Sequence, residues 1–167
     1  VFDQTSTRCE LCLADASDEQ HAYVGEIVAQ RAAFAEKIAP AASRVKYVKV
    51  ENRGISANTN AAAALATGEY LALADHDAIL APHAVYTLQM AILDSGADFL
   101  YSDEALFKKS IRRPTVAHFK PDFAPDYLVC CNYICHLSAF KRSLYFELGG
   151  ERTECDGSQD HDLFLRI

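Results

Sequence analysis

The stretch Tyr70-Leu71-Ala72-Leu73-Ala74-Asp75-His76-Asp77 joins a short apolar run to two carboxylates one residue apart. The run has the length of a buried strand, and the aspartates come where it ends. Carboxylate oxygens are ligands that Mg²⁺ and Mn²⁺ prefer, and Mg²⁺ commonly binds one or two carboxylates together with substrate phosphates. Aspartate is also common at strand ends as a turn former. The stretch therefore predicts a strand followed by a cation and nucleotide-diphosphate site, with a solvated turn as the alternative.

Short apolar runs alternate with helical patterns on both sides of this stretch. The predicted strands cover residues 10–14, 45–50, 70–74 and 98–101. Predicted helices begin near Asp18, Ser56 and Pro82, and the second is built largely of alanine, so that it can lie close to a sheet. Such alternation is typical of βαβ units around a parallel sheet. The pattern therefore predicts an α/β protein.

Acidic residues follow three of the predicted strands, at Asp15, Asp75 and Asp103. The carboxyl ends of parallel strands share one edge of an open sheet, and ligands bind outside that edge. Each aspartate taken alone is equally well explained as a helix cap or a turn former. The three together predict an acidic ligand site at one edge of the sheet.

The pattern loosens after Glu104, where prolines recur and break any long element. We expect an acceptor-facing loop in this region. Its basic cluster, Lys108-Lys109 with Arg112-Arg113, is interpreted as a solvated loop, with contact to an anionic acceptor as the alternative. Residues 132–140 are expected to form an edge or antiparallel strand, and residues 142–148 a short helix.

Composition limits the class of protein. The chain has 167 residues, of which 50% are hydrophobic and 23% charged, with a net charge of −7. These values predict one folded domain and argue against a nucleic-acid partner. No apolar stretch approaches the ~20 residues of a membrane helix, so we expect a soluble, cytoplasmic protein. The six cysteines lack the spacing of a zinc site and are expected to be buried free thiols.

Several motifs stand in a fixed order along nearly the whole chain. They are Leu13-Ala14-Asp15, Asn52-Arg53-Gly54-Ile55-Ser56 with Asn60, Gly68-Glu69-Tyr70, Asp75-His76-Asp77, Tyr101-Ser102-Asp103-Glu104, Phe119-Lys120-Pro121-Asp122, Asn132-Tyr133-Ile134 with His136, and Gly157-Ser158-Gln159-Asp160-His161-Asp162. In order and spacing they closely resemble the bacterial family 2 glycosyltransferases with the GT-A fold, especially those that build cell-surface polysaccharides.

This resemblance implies a single GT-A catalytic domain over residues 1–167, with three αβα layers and a mostly parallel sheet. It implies a metal-dependent, inverting transfer of a sugar from a nucleotide-diphosphate sugar to a glycan or lipid-linked acceptor in polysaccharide biosynthesis. The cofactor would be a divalent metal, Mg²⁺ or Mn²⁺. We expect no nucleic-acid partner, and peripheral association with the inner membrane through segments outside this chain.

The resemblance also assigns residues on the donor side. Asp15 matches the acidic residue that contacts the nucleoside base, and Arg53 and Gly54 match a loop that lines the nucleotide pocket. Asp75 matches the first aspartate of the D-x-D motif, near the ribose and the metal. Asp77 matches the aspartate that ligates the metal.

On the other side of the reaction, Asp160 matches the catalytic base, and Asp162 is expected to be structural. Asp103, Glu104 and His136 are expected on the acceptor side. An inverting displacement needs one base to take the proton of the acceptor hydroxyl and a cation to balance the departing diphosphate.

The chain departs from the family pattern at both ends. It opens at Val1-Phe2-Asp3, which resembles the end of the family's first helix, and it stops at Ile167, inside the helix that carries the predicted base. We therefore expect a fragment that lacks the first strand and the C-terminal part, that binds the donor weakly and that can be inactive alone.

Three alternatives remain open at the level of sequence. The stretch Asp75-His76-Asp77-Ala78-Ile79 nearly matches the D-x-D-x-T/V element of haloacid-dehalogenase-type phosphatases. A nucleotidyltransferase of related fold would bind the same kind of donor. The non-enzymatic alternative is an inactive nucleotide-binding scaffold.

Overall fold

The computed structural model describes residues 4–18, 23–38 and 45–167, which contain both strands and helices. In order, the elements are β1 (Leu11–Asp15), α1 (Tyr23–Ile38), β2 (Val45–Lys49), α2 (Ile55–Ala64), β3 (Tyr70–Leu73), α3 (Ala84–Ser95), β4 (Phe99–Tyr101), β5 (Glu104–Phe107), β6 (Pro114–His118), α4 (Pro125–Cys130), β7 (Ser138–Lys141), α5 (Arg142–Glu147), a 3₁₀ turn (Thr153–Cys155) and α6 (Gln159–Arg166). All four predicted strands are present, with small shifts at their ends, and the α/β class is confirmed. The predicted start of the first helix after Asp18 and its end at Pro40 lie outside the described residues.

The strands pair in three groups. β1 and β2 are parallel, with Leu11 opposite Val45 and Asp15 opposite Lys49. β7 lies between β3 and β4 and is antiparallel to both, with its Phe140 opposite Leu71. β3 and β4 therefore run in the same direction, as predicted, but an antiparallel strand separates them, so the sheet is more mixed than the sequence pattern implied.

β7 is shorter and more central than predicted. Residues 132–140 were expected to form an edge or antiparallel strand, but the strand begins only at Ser138. Ser138, Ala139 and Phe140 are all buried. Consecutive buried residues fit a central strand covered on both faces, whereas an edge strand would alternate in exposure. Residues 131–137 instead form a loop that carries part of the site.

The stretch after Glu104 lies outside the core, as predicted, but it forms a β-hairpin, so the prediction of an irregular loop was wrong. β5 and β6 are antiparallel, with Ala105 opposite Ala117 and an irregularity between Leu106 and Phe107. Every residue of β6 is exposed. A ribbon exposed on both faces has no hydrophobic alternation to mark it, which is why the pattern in the sequence looked irregular.

The core joins the β3–β7–β4 sheet to helices α2, α5 and α6. Its buried members are Ala63, Ala66, Leu71, Leu128, Ile134, Phe140, Tyr145, Leu163 and Phe164. The Phe140 and Tyr145 rings stack with centroids 5.7 Å apart. Burying a large apolar side chain contributes roughly 1.5–3 kcal/mol, so Leu163 and Phe164 hold α6 firmly against the sheet. This packing fixes the position of Asp160 in the first turn of α6.

Two further features complete the fold. α3 ends at Gly96, whose φ of 65° lies in the left-handed region, as the sequence predicted for its C-terminus. In the described part of the chain, no helix combines the length and apolar character needed to cross a membrane.

Candidate functional site

A row of alternating carboxylates and imidazoles crosses the end of β3. The Oδ2 atom of Asp75 lies 2.8 Å from Nε2 of His136, and Nδ1 of the same imidazole lies 3.9 Å from Oε2 of Glu104. Oε1 of Glu104 lies 3.1 Å from Nδ1 of His118. The side chain of Asp75 is 55% exposed, so this row is open to a ligand. The structure thus brings Asp75, predicted on the donor side, next to Glu104 and His136, predicted on the acceptor side.

Asp77 lies in the exposed turn after Asp75, in which the Ala78 amide donates to the Asp75 carbonyl at 3.1 Å. Among the residues with described positions, no three His, Cys, Asp or Glu side chains converge as a closed metal site. Two exposed carboxylates suit a cation whose remaining ligands are phosphate oxygens and water. The donor set of Asp75 and Asp77 therefore fits a shared substrate-metal site and does not resemble a closed structural one.

Asp160 lies in the first turn of α6 and is held by two donors. Its Oδ2 atom accepts a hydrogen bond from the side-chain amide of Asn132 at 2.9 Å, and its Oδ1 atom accepts one from the His161 backbone at 2.8 Å. His161, predicted to face outward, instead contacts the Leu128 carbonyl through Nε2 at 2.6 Å. The carboxylate is thus fixed in one orientation, as a base that must meet a substrate proton requires.

The loop of residues 131–137 connects the predicted base to the row of carboxylates and imidazoles. Asn132 at its start contacts Asp160, and His136 near its end contacts Asp75. Between them, burial raises the pKa of the Cys135 thiol, and the negative charges of Asp160 and Glu104 raise it further. The loop therefore links Asp160, the predicted base, to Asp75, predicted on the donor side.

Lys120 anchors this loop. Its Nζ atom donates to the carbonyl oxygens of Ile134 and His136, and its backbone N–H donates to Oδ1 of Asp103 at 2.8 Å. Burial lowers the pKa of the ammonium, although the neighbouring charges of Glu104, Cys135 and Asp103 oppose that shift. Lys120 belongs to the motif Phe119-Lys120-Pro121-Asp122, but the sequence predicted no role for it. Asp103 is placed here beside Lys120, so it supports the loop that carries His136.

Asp15 lies at the end of β1 in a buried hydrogen-bond network. Its Oδ2 atom accepts from the Tyr47 hydroxyl at 2.6 Å, and its Oδ1 atom accepts from the Ser17 amide at 2.9 Å and pairs with Lys49 at 3.3 Å. Burial alone would raise the pKa of this carboxyl, but hydrogen bonds from Ser17, Tyr47 and Lys49 hold it well below its ordinary value. The carboxylate is therefore ionised and rigid.

The predicted nucleotide loop packs against the segment before α6. Gly54 has a φ of 99°, and a Cβ at this position would overlap the carboxylate of Asp156. Asp156 accepts hydrogen bonds from the Ser56 amide at 3.0 Å and from the Ser56 hydroxyl, at the N-terminus of α2. Arg53 pairs with Glu51 at the surface, 2.9 Å away. Sequence reasoning missed Asp156, because a cap that acts across 100 residues leaves no local signal.

Another carboxyl, Glu151, is buried between α2 and the segment that leads to α6. Burial raises its pKa to about 7, despite a hydrogen bond with the Thr59 side chain, and the charges of Asp160 and Asp156 act in the same direction as burial. Its Oε2 atom has no hydrogen-bond partner in the described parts of the chain. An unpaired buried carboxyl is costly in its charged form.

Comparisons with known proteins show which family the chain resembles. Residues 1–149 match the family model "Glycosyl transferase family 2". Over 170 residues the chain is 37% identical to the "Uncharacterized protein y4gI" of Sinorhizobium fredii (strain NBRC 101917 / NGR234), covering 99% of this chain and 18% of that protein. Over 176 residues it is 28% identical to the "O-antigen biosynthesis protein RfbC" of Myxococcus xanthus, covering 100% of this chain and 14% of that protein.

The chain thus spans less than a fifth of the length of either relative. The family match supports the predicted GT-A class of α/β fold and favours sugar transfer over the phosphatase and nucleotidyltransferase alternatives. The family match ends before Asp160, so the assignment of Asp160 depends on its contacts with Asn132 and His161. On this match, the chain belongs to the family 2 glycosyltransferases.

Proposed function

We propose that residues 1–167 form the catalytic domain of an enzyme that transfers a sugar, with inversion, from a nucleotide-diphosphate sugar to a glycan or lipid-linked acceptor. The observation that carries this proposal is the 131–137 loop, which joins Asp160 to Asp75 through Asn132 and His136. The printed name of the Myxococcus relative, an O-antigen biosynthesis protein, supports a role in polysaccharide biosynthesis.

Asp160 acts as the general base. Its carboxylate is oriented by Asn132 and by the His161 amide, which leaves lone pairs free for the proton of an acceptor hydroxyl. A single displacement of the diphosphate by that hydroxyl needs no covalent nucleophile on the protein. A positioned base typically contributes ~10²–10⁴ to the rate.

Asp77 and Asp75 would hold a divalent cation, Mg²⁺ or Mn²⁺. When bound, the cation supplies positive charge to the departing diphosphate. His136 contacts Asp75 at 2.8 Å and orients that carboxylate. We place the metal dependence of the reaction on these two carboxylates, because both are exposed and both follow β3 directly.

The remaining predicted residues take supporting roles. Asp15, Arg53 and Gly54 form the nucleotide side, where Gly54 keeps the backbone close to Asp156. Asp103, Glu104 and His136 form the acceptor side. The cell compartment is the cytoplasm, with peripheral attachment to the inner membrane.

The proposal is tested on the intact protein. A set of nucleotide sugars is incubated with Mn²⁺ and screened for release of nucleoside diphosphate, and thermal stabilisation by Mn²⁺ with a nucleoside diphosphate is measured in parallel. We expect stabilisation and turnover with one class of donor, and Asp77→Asn should weaken both. Stabilisation without turnover of any donor would favour the scaffold alternative. The absence of both stabilisation and turnover would refute donor binding.

A further inference from the structure

The β5–β6 hairpin is the most basic part of this acidic chain. Its turn carries Lys108, Lys109, Arg112 and Arg113 within six positions, and residues 105–121 contain no aspartate or glutamate. The chain as a whole has a net charge of −7. Because screening limits charge interactions to about 10 Å at moderate ionic strength, this local cluster determines which partner the hairpin attracts.

Within the described residues, these four cations differ from Lys46 and Lys141, which form ion pairs. Lys46 pairs with Glu10 at 2.8 Å, and Lys141 pairs with Asp98 at 2.5 Å. In the described part of the chain, by contrast, no carboxylate lies in ion-pair distance of the four cations in the hairpin turn. Their charge is therefore available to an external anion.

The same hairpin carries exposed apolar side chains. Leu106 and Val116 are cross-strand partners on one face of the ribbon, and Leu106 is 50% exposed. Ile111 lies between the two basic pairs and is 57% exposed, and Phe119 after β6 is 84% exposed. A ribbon with four cations and the exposed Ile111 in its turn, and further exposed apolar side chains along it, matches the interface of a bilayer, where headgroups and acyl chains meet.

We propose that this hairpin docks the protein on the surface of an anionic lipid bilayer, with the four cations at the headgroups and Ile111 inserted between them. A bilayer fits better than a soluble polyanion because exposed apolar side chains stand among the charges. The ribbon begins at Glu104 and His118, which belong to the row that includes Asp75. Each strand of four or five residues spans roughly 15 Å, so docking brings the site close to the membrane surface.

This orientation would present the site to a lipid-linked acceptor, and only that consequence rests on the proposed function. The docking itself depends on charge and exposure alone. Under this proposal the membrane contact is made by residues of this chain, whereas the sequence analysis expected it to be made by segments outside the chain.

The test is co-sedimentation of the intact protein with vesicles. Vesicles of phosphatidylcholine mixed with phosphatidylglycerol should bind it, and vesicles of phosphatidylcholine alone should not. Lys108→Gln with Lys109→Gln should lower the partition coefficient roughly thirtyfold, as should Arg112→Gln with Arg113→Gln. The matched control is Arg8→Gln with Arg31→Gln, which changes net charge equally at exposed sites outside the hairpin and should leave binding within about twofold.

A second variant tests the apolar contribution. Ile111→Ser should weaken binding to anionic vesicles and leave its decline with salt unchanged, because no charge is altered. Equal losses in the hairpin and control pairs would overturn the proposal, since net charge alone would then explain binding. Binding to a soluble anionic polysaccharide that is as strong as binding to vesicles and insensitive to Ile111→Ser would overturn it also. Stabilisation by Mn²⁺ with nucleoside diphosphate is measured on every variant, so a failure of donor binding is distinguished from a failure of docking.

Discussion

Replacing Asn132 by alanine removes the side-chain donor that orients the predicted base. The Asn132 amide lies 2.9 Å from Oδ2 of Asp160, and the other donor to that carboxylate is the His161 backbone, which remains. A hydrogen bond to a charged group contributes about 1.5–3 kcal/mol. If that free energy serves to position the base in the transition state, kcat should fall about 10–100-fold.

The assay is steady-state sugar transfer by the intact protein, with donor affinity measured separately by calorimetry. Asn132→Ala should lower kcat and leave the dissociation constant of the donor unchanged. A second variant, Asn132→Asp, replaces the amide donor by a carboxylate that cannot donate, and should lower kcat at least as much as Asn132→Ala does.

The control for this prediction is a double-mutant cycle. If Asn132 acts through Asp160, Asn132→Ala should have little further effect in an Asp160→Asn background. Full additivity of the two changes would refute the reasoning. An unchanged kcat in Asn132→Ala would do the same, because the hydrogen bond would then not orient the base.

Three further predictions concern stability, measured by urea unfolding. Gly54→Ala should lower the free energy of unfolding by about 3 kcal/mol or more, because this position combines a left-handed φ with overlap of the new Cβ on Asp156. Gly96→Ala, with open space around its Cβ, should lower it by about 1 kcal/mol. Equal losses for the two variants would contradict this prediction. Lys120→Met should lower the free energy of unfolding by about 2–4 kcal/mol, because two loop carbonyls lose a charged donor. A loss below about 1 kcal/mol would contradict the anchoring role of Lys120. Burial raises the pKa of Glu151 from 4.5 to about 7, so its neutral form favours the folded state below pH 4.5 and this contribution is lost as pH rises through about 7. Relative to Glu151→Gln, the wild type should therefore lose about 2–3 kcal/mol over that window, and parallel pH profiles would exclude the predicted role of this carboxyl.

Strands β1 to β4 and the order of the site motifs could be predicted from the sequence, because buried strands leave apolar runs and the aspartates follow them directly. The stretch from Tyr70 to Asp77 is the clearest case, since β3 and the exposed turn after it lie as predicted. The β5–β6 hairpin could not be recognised in this way. Its ribbon is exposed on both faces, and without one buried face there is no alternation to read.

The side-chain contacts within the site could not be predicted from the sequence either. Asn132 reaches Asp160 across 28 positions, and Asp156 caps α2 across 100. Such contacts depend on how the elements pack and leave no periodic signal. The contact of His161 could not be predicted for the same reason. Its position after Asp160 suggested an outward side chain, but in the structure its ring contacts the Leu128 carbonyl of α4.

The cysteines give a smaller correction. All six are free thiols in the structure, as the sequence indicated, but Cys130 and Cys131 are exposed and the others are only partly buried. Both exposed cysteines lie at the end of α4, next to the loop that carries Asn132. Apolar character in the sequence does not reveal that a short helix turns its last residues to solvent.

The most direct test of the central claim compares transfer and donor binding in Asp160→Asn. The intact variant is assayed for sugar transfer, and its affinity for nucleoside diphosphate with Mn²⁺ is measured by calorimetry. If Asp160 is the base, transfer should fall by ~10²-fold or more while donor affinity stays within about twofold of the wild type. Normal transfer by Asp160→Asn would contradict the assignment of the base and the mechanism built on it.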